Sequence, residues 1–217
     1  VAVEVHHGGV DTILGRGPRE PLTEVDVRSW PLGIGAVRLR EGLAFVAAKH
    51  ASGFTLDDID AIPEDGRRYE LLDGVVVVSP APNRPHQRAV LKLAAILLAA
   101  ERPPTQTLVA PYDVDLTIAR RMQPDVLVLT APDERVPLLV VEVGSPSTRR
   151  YDREEKRRAY AEAGIASYWL VDVDEPAVEV LSLDRDGYRT TTIARGDASV
   201  EVAAPFPVRF RPADLLD

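Results

Sequence analysis

The 217-residue sequence has no cysteine. That excludes disulfides and thiolate metal sites and fits a cytoplasmic protein. Long apolar runs are missing too: the longest, Val90–Ala100, is broken by Lys92 and falls short of the roughly 20 residues of a spanning helix, so no membrane partner is expected. The opening residues lack a basic start followed by an apolar stretch, and no signal peptide is expected. Positive charge is in deficit, with 26 Lys and Arg against 34 Asp and Glu, for a net charge of -8. Such a balance argues against a protein that coats nucleic acid by bulk attraction. Against that background residues 149–158, "RRYDREEKRR", stand out, with six basic residues and three acidic ones. Taken alone, the run reads as an exposed helix face laced with i, i+4 ion pairs.

Sequence punctuation divides the chain. Residues 1–52 are rich in Gly and Pro without a sustained period, and only "VRLREGLAFVAAKH" has a weakly helical pattern. They read as a loosely ordered extension, in which His6 and His7 carry no assigned role. Residues 53–217 read as one domain. Thr55 followed by Asp58 predicts a capped short helix ended by Pro63. Asp73-Gly74, between "RYELL" and "VVVVS", predicts a type I′ hairpin. A helix over His86–Glu101 presents Val90, Leu93, Ala94, Leu97 and Leu98 on one face. Strands follow near 106–110, 124–130 and 138–143, the last two joined by a turn at 131–134. Asp152-x-x-Glu155 suggests a capping box opening a helix that Gly164 closes. Strands at 167–173, 178–183 and 188–194 and a final helical turn complete an α/β (α+β) pattern, a mixed sheet flanked by helices.

Two apolar strands each carry one carboxylate, Asp125 at the start of the first and Glu142 near the end of the second. Burying an ionised carboxylate unpaired costs several kcal/mol or more, so a cation is expected nearby. Antiparallel pairing through the 131–136 turn brings the two acids to one end of the sheet. Hard oxygen ligands of this kind suit Mg²⁺, with Mn²⁺ as a substitute, while a single acid at a strand end merely faces water. Lys156, fourteen residues after Glu142, is the candidate cation, reaching back over the sheet end to steady an attacking hydroxide or a phosphate.

The segments "RYELLDGVVVVSPAP", "PHQRAVLKLAAIL", "QPDVLVL" and "LLVVEVGSPSTRRYDREEKRRAYAEAGIASYWLVD" resemble, in order and spacing, the Uma-two family of bacterial endonuclease-like proteins within the PD-(D/E)XK superfamily. The resemblance covers about Phe54 to Asp217 and implies a restriction-endonuclease-like fold with extra C-terminal strands. It implies that Asp125 and Glu142 hold Mg²⁺, assisted by Glu70 and the carbonyl of Val143, and that Lys156 positions or deprotonates the attacking water. Lys156 would replace the lysine the superfamily more often places two residues after the acid, where this chain has Gly144. His86 would meet a phosphate, as would Arg149, Arg150 and Arg153; Tyr160 and Trp169 are assigned to packing. The expected activity is metal-dependent hydrolysis of phosphodiester bonds in nucleic acid, DNA favoured over RNA, by a homodimer. Its rivals are a non-catalytic dimeric binding or regulatory module on the same fold and a metal phosphoesterase acting on a smaller substrate.

Overall fold

The computed structural model describes residues 2–3, 30, 33–40, 43–48, 51–131, 135–144 and 148–216. Contacts divide the chain into two units, residues 1–81 with 115–123, and residues 82–114 with 124–217.

The first unit begins with β1 (Ala2–Val3), β2 (Ile34–Arg40), β3 (Leu43–Ala48), α1 (Leu56–Asp60), β4 (Arg68–Leu72) and β5 (Val75–Ser79). After α2 (Arg84–Ala100) and β6 (Gln106–Val109), which belong to the second unit, the chain returns with β7 (Val114–Thr117) and β8 (Arg120–Met122). The sheet order is β1-β2-β3-β5-β4-β8-β7. The β4–β5 hairpin turns as expected, since Asp73 and Gly74 both take positive φ, 50° and 78°, as a type I′ turn demands. A Cβ on Gly74 would lie 3.0 Å from the Gly53 backbone, so the position needs glycine for space as well. The Thr55 cap is also observed: its N–H and hydroxyl both donate to Asp58, at 2.8 and 2.9 Å.

The expectation of a loosely ordered extension over 1–52 is corrected for residues 34–40 and 43–48. The stretch read as weakly helical is two antiparallel strands, and β3 lies between β2 and β5, with Val46 opposite Val76. Alternation in "AVRLR" and the run "LAFVAA" fit strands once β5 supplies a partner. Leu43, Ala44 and Val46 are buried, and the last two share a core with Trp30, Phe54, Ile59, Leu71, Val76 and Val78. The domain boundary at 52/53 therefore gives way to a division in which residues 115–123 complete the earlier unit. His6 and His7 lie outside the described residues, as does most of the 131–134 turn.

The second unit holds α2, β6, β9 (Val126–Leu129), β10 (Leu139–Gly144), a π-helical segment (Tyr151–Lys156), α3 (Arg157–Glu162), β11 (Ser167–Asp172), β12 (Ala177–Asp184), β13 (Gly187–Arg195), β14 (Val200–Val202), β15 (Val208–Phe210) and a 3₁₀ turn (Pro212–Leu215). Its six-stranded sheet runs β13-β12-β11-β10-β9-β6, and β14 pairs with β15 separately. β10 is parallel to β11 and antiparallel to β9, so the chain between β10 and β11 is a crossover through the helical segment. All six residues of β10 are buried. Helix α2 starts two residues before the expected position, where the Asn83 side chain accepts from the His86 N–H at 3.0 Å and Pro85 fits the first turn. Its buried face is Ala89, Leu93, Ala94 and Leu97, with Leu98 exposed, a shift of the expected stripe toward the i, i+4 ridge through Leu93. The expected α+β class is observed, as are the extra C-terminal strands. Among the described residues no helix is long and apolar enough to cross a membrane.

Deleting residues 1–52 would strip β5 of its β3 partner and remove Ala44 and Val46 from the core of the first unit. Hydrogen exchange of the β5 amides that bond to β3 is expected to lose its protection in the truncated chain. Protection equal to that of the full chain would show that β3 is dispensable.

Candidate active site

The site grows from the β9–β10 pairing. Val126, Val128, Leu139, Val141 and Val143 face the core shared with α2, so strand alternation turns Asp125 and Glu142 to the opposite face. Past the rung Val141↔Val126, Asp125 and Glu142 are the next residues on their strands. Both are buried, at 3% and 2% exposure. Asp125 Oδ2 accepts from the Val143 N–H at 2.8 Å and lies 3.1 Å from His86 Nε2. Because N–H and C=O of a strand residue point to the same edge, the Val143 carbonyl faces the side of Asp125. The cation that Glu142 requires is Lys156, whose Nζ sits 3.0 Å from Oε1 with both side chains buried. The Tyr160 hydroxyl donates to the same oxygen at 2.7 Å.

The helical segment differs from the expected capped start. Arg150 already has helical dihedrals, Asp152 N–H donates to Thr148 O at 2.9 Å, and residues 151–156 wind as a π-helix. Asp152 is therefore no cap. It is buried with Lys156, whose Nζ lies 3.8 Å from its Oδ1 and 5.3 Å from the centre of the Tyr151 ring. Wider π winding, common at functional sites, turns Tyr151, Asp152 and Lys156 inward together while Arg153 and Glu154 stay exposed. Sequence reasoning missed Asp152, for which its place four residues before Lys156 was the available signal, and the part played by Tyr160, read as packing only. Tyr160 does pack, edge-on to Tyr168 at 5.2 Å, but its hydroxyl belongs to the site. Trp169 is core, stacked against Phe210.

The second unit thus brings together His86, Asp125, Glu142, Val143 and Lys156. Glu70 lies on β4 in the first unit, buried, where Oε1 accepts from the Gln123 N–H at 2.9 Å and pairs with Arg68 at 3.2 Å. His86, expected to meet a phosphate, instead contacts Asp125. The candidate phosphate contacts are engaged in ion pairs: Arg149 with Asp172 at 2.7 Å, Arg150 with Glu154 at 3.0 Å, Arg153 with Glu179 at 2.5 Å. Burial works to raise the Glu179 carboxyl, but hydrogen bonds from Arg153 and Thr190 outweigh it and hold the group below its ordinary range. At Gly144 a Cβ would meet only ordinary contacts, 3.6 Å to Val171 O and 3.8 Å to Asp152 Oδ2.

Two strand-end carboxylates, a lysine returning from the crossover helix and a mixed sheet around them define a nuclease-like α+β protein. The chain belongs to the Uma2 family: residues 56–215 match the family described as "Putative restriction endonuclease". A solved structure, that of "a putative nuclease belonging to DUF820 from Anabaena variabilis ATCC 29413", shares the fold with a TM-score of 0.61 at 20% identity, over 75% of this chain and 97% of that one. No curated protein matches the chain.

Among the described residues no three His, Cys, Asp or Glu side chains gather as a metal site, so a closed protein cage is not present. Two carboxylates with an adjacent backbone carbonyl nevertheless fit Mg²⁺, which keeps several waters and takes one or two carboxylates.

Removing one member of a buried pair leaves the other charge uncompensated, at a cost of about 3–5 kcal/mol. Lys156→Met is expected to lower denaturant stability by that order, and Lys156→Met with Glu142→Gln by less than the sum of the single changes. Additive losses would show that the two side chains do not depend on each other.

Proposed function

We propose that this chain is a Mg²⁺-dependent endonuclease that hydrolyses phosphodiester bonds of nucleic acid, DNA in preference to RNA. The observation that carries this reading is the convergence of Asp125, Glu142 and Lys156 at one strand end, two buried carboxylates with a buried ammonium. The family's description as a restriction endonuclease favours DNA, and the proposed assembly is a homodimer. Asp125, Glu142 and the carbonyl of Val143 would hold the ion. When bound, Mg²⁺ supplies Lewis acidity and lowers the pKa of water.

The chain's own groups do the rest. The Val143 N–H and His86 fix the orientation of Asp125, and Tyr160 fixes that of Glu142. The Lys156 ammonium holds the attacking water and offsets the charge that develops on phosphate oxygens. Arg149, Arg150 and Arg153 are each engaged by an acidic partner. That neutralised run, with the net charge of -8, favours a second reading, a non-catalytic module that keeps the fold. A labelled DNA and RNA panel incubated with Mg²⁺, Mn²⁺ or EDTA separates the two, with Asp125→Ala as the control. Metal-dependent cleavage lost in that variant supports the nuclease; equal traces for both proteins refute it.

Mg²⁺ or Mn²⁺ is expected to raise the melting temperature by binding the folded state, and Asp125→Asn to abolish most of that rise. An unchanged rise in the variant would place the metal elsewhere. Lys156→Ala is expected to slow single-turnover cleavage by about 10²–10⁴-fold, the range of a positioned acid or base. Lys156→Arg, which retains charge but does not deprotonate, should recover activity only if the lysine works electrostatically. Cleavage by Lys156→Ala at the wild-type rate would remove the lysine from the mechanism.

A further inference from the structure

Lys156 is shared by two carboxylates held in different ways. Glu142 projects from β10 and is engaged through Oε1 by both Lys156 and Tyr160, at 3.0 and 2.7 Å. Asp152 stands 3.8 Å from the same ammonium, on backbone fixed at both ends: its N–H donates to Thr148 O and its C=O accepts from the buried Tyr168 hydroxyl at 3.0 Å. Its second oxygen, Oδ2, lies 3.8 Å from where a Cβ on Gly144 would stand. A buried carboxylate of this kind is costly, and among the groups given a role in the reaction it has none.

A difficulty with Glu142 supplies the role. If that carboxylate binds a divalent cation, it faces two cations at once, and a buried ammonium that loses its share of Glu142 needs another anion close by. We propose that Asp152 is a positioning residue that takes over Lys156 when Glu142 engages the metal ion. The proposal rests on the reading of Asp125 and Glu142 as metal-binding carboxylates. A small rotation of the lysine side chain, from 3.0 Å at Glu142 toward the anion now 3.8 Å away, keeps it charge-compensated and beside the reacting groups. Asp152 acts through the lysine, without touching substrate or metal.

Mg²⁺ binding measured by titration calorimetry on the full chain tests this, with wild type, Asp152→Asn, Lys156→Met and the double variant. In Asp152→Asn the ammonium clings to Glu142 and competes with the ion, so affinity is expected to fall by about tenfold, the lower end for outer partners of metal ligands. With Lys156 already replaced by Met there is nothing to hand over, and adding Asp152→Asn is expected to leave affinity unchanged. Unchanged affinity in Asp152→Asn overturns the proposal, as does an equal loss with and without the lysine, which would show a direct effect of charge or a purely structural one. Should Asp152→Asn not fold, Asp152→Glu carries the test: binding close to wild type is expected, and a tenfold loss in both lysine backgrounds overturns it. If wild type itself shows neither heat nor thermal shift with Mg²⁺ or Mn²⁺, the metal reading falls first and takes this one with it.

Discussion

A carboxylate on a fully buried strand cannot stand alone, and the Glu142–Lys156 pair is the constraint around which the second unit is arranged. Every residue of β10 is buried, so Glu142 has no exit to solvent and its counter-charge must come from elsewhere in the chain. The crossover from β10 to β11 delivers it. Placing an ammonium over the strand while Asp152 and Tyr151 also turn inward is what the π-wound stretch achieves, and Tyr160, one turn further, closes the same carboxylate with its hydroxyl. Pairs of this kind contribute little net stability relative to an apolar core of equal volume. Their presence here is better explained by what the charges can do than by what they hold together.

The other acid is treated differently. Asp125 sits where β9 begins and is held by a backbone N–H and an imidazole. The two carboxylates thus share a face of the sheet but not an environment, one clamped by backbone and histidine, the other by lysine and tyrosine. The basic run that follows contributes one buried cation, Lys156, and several exposed ones already matched with acids on β11, β12 and its own helix.

Much of this was legible in the sequence where a local rule had no competitor. Asp73-Gly74 has few options besides a tight hairpin, and Thr55 with Asp58 caps as the spacing dictates. Two apolar strands separated by a short turn pair antiparallel, which located Asp125 and Glu142 together, and the need to compensate a buried acid pointed to a nearby lysine. What was not legible depended on partners distant in sequence. β3 is a strand because β5 pairs with it. "VDLTIARRM" gives β7 and β8 because β4 offers an edge, although the apolar–polar alternation from Val114 to Ile118 also suits a strand. Asp152 looked like a cap because a capping box and an inward-facing acid share the same spacing; only the π winding separates them.

The interleaving of the two units also sets an order of events during synthesis. Glu70 and the Gln123 N–H that it accepts from are 53 residues apart in sequence, and residues 82–114 between them are the first part of the second unit. A polypeptide emerging from the ribosome therefore exposes the open edge of β4 while α2 and β6 are being made. That edge is closed only when β8 arrives, just before β9 begins. Non-local pairing of this kind incurs its loop-closure entropy before any contact offsets it. The first unit is thus the earlier to start and cannot be finished until the second is under way, which leaves an unpaired strand edge on the nascent chain for that interval.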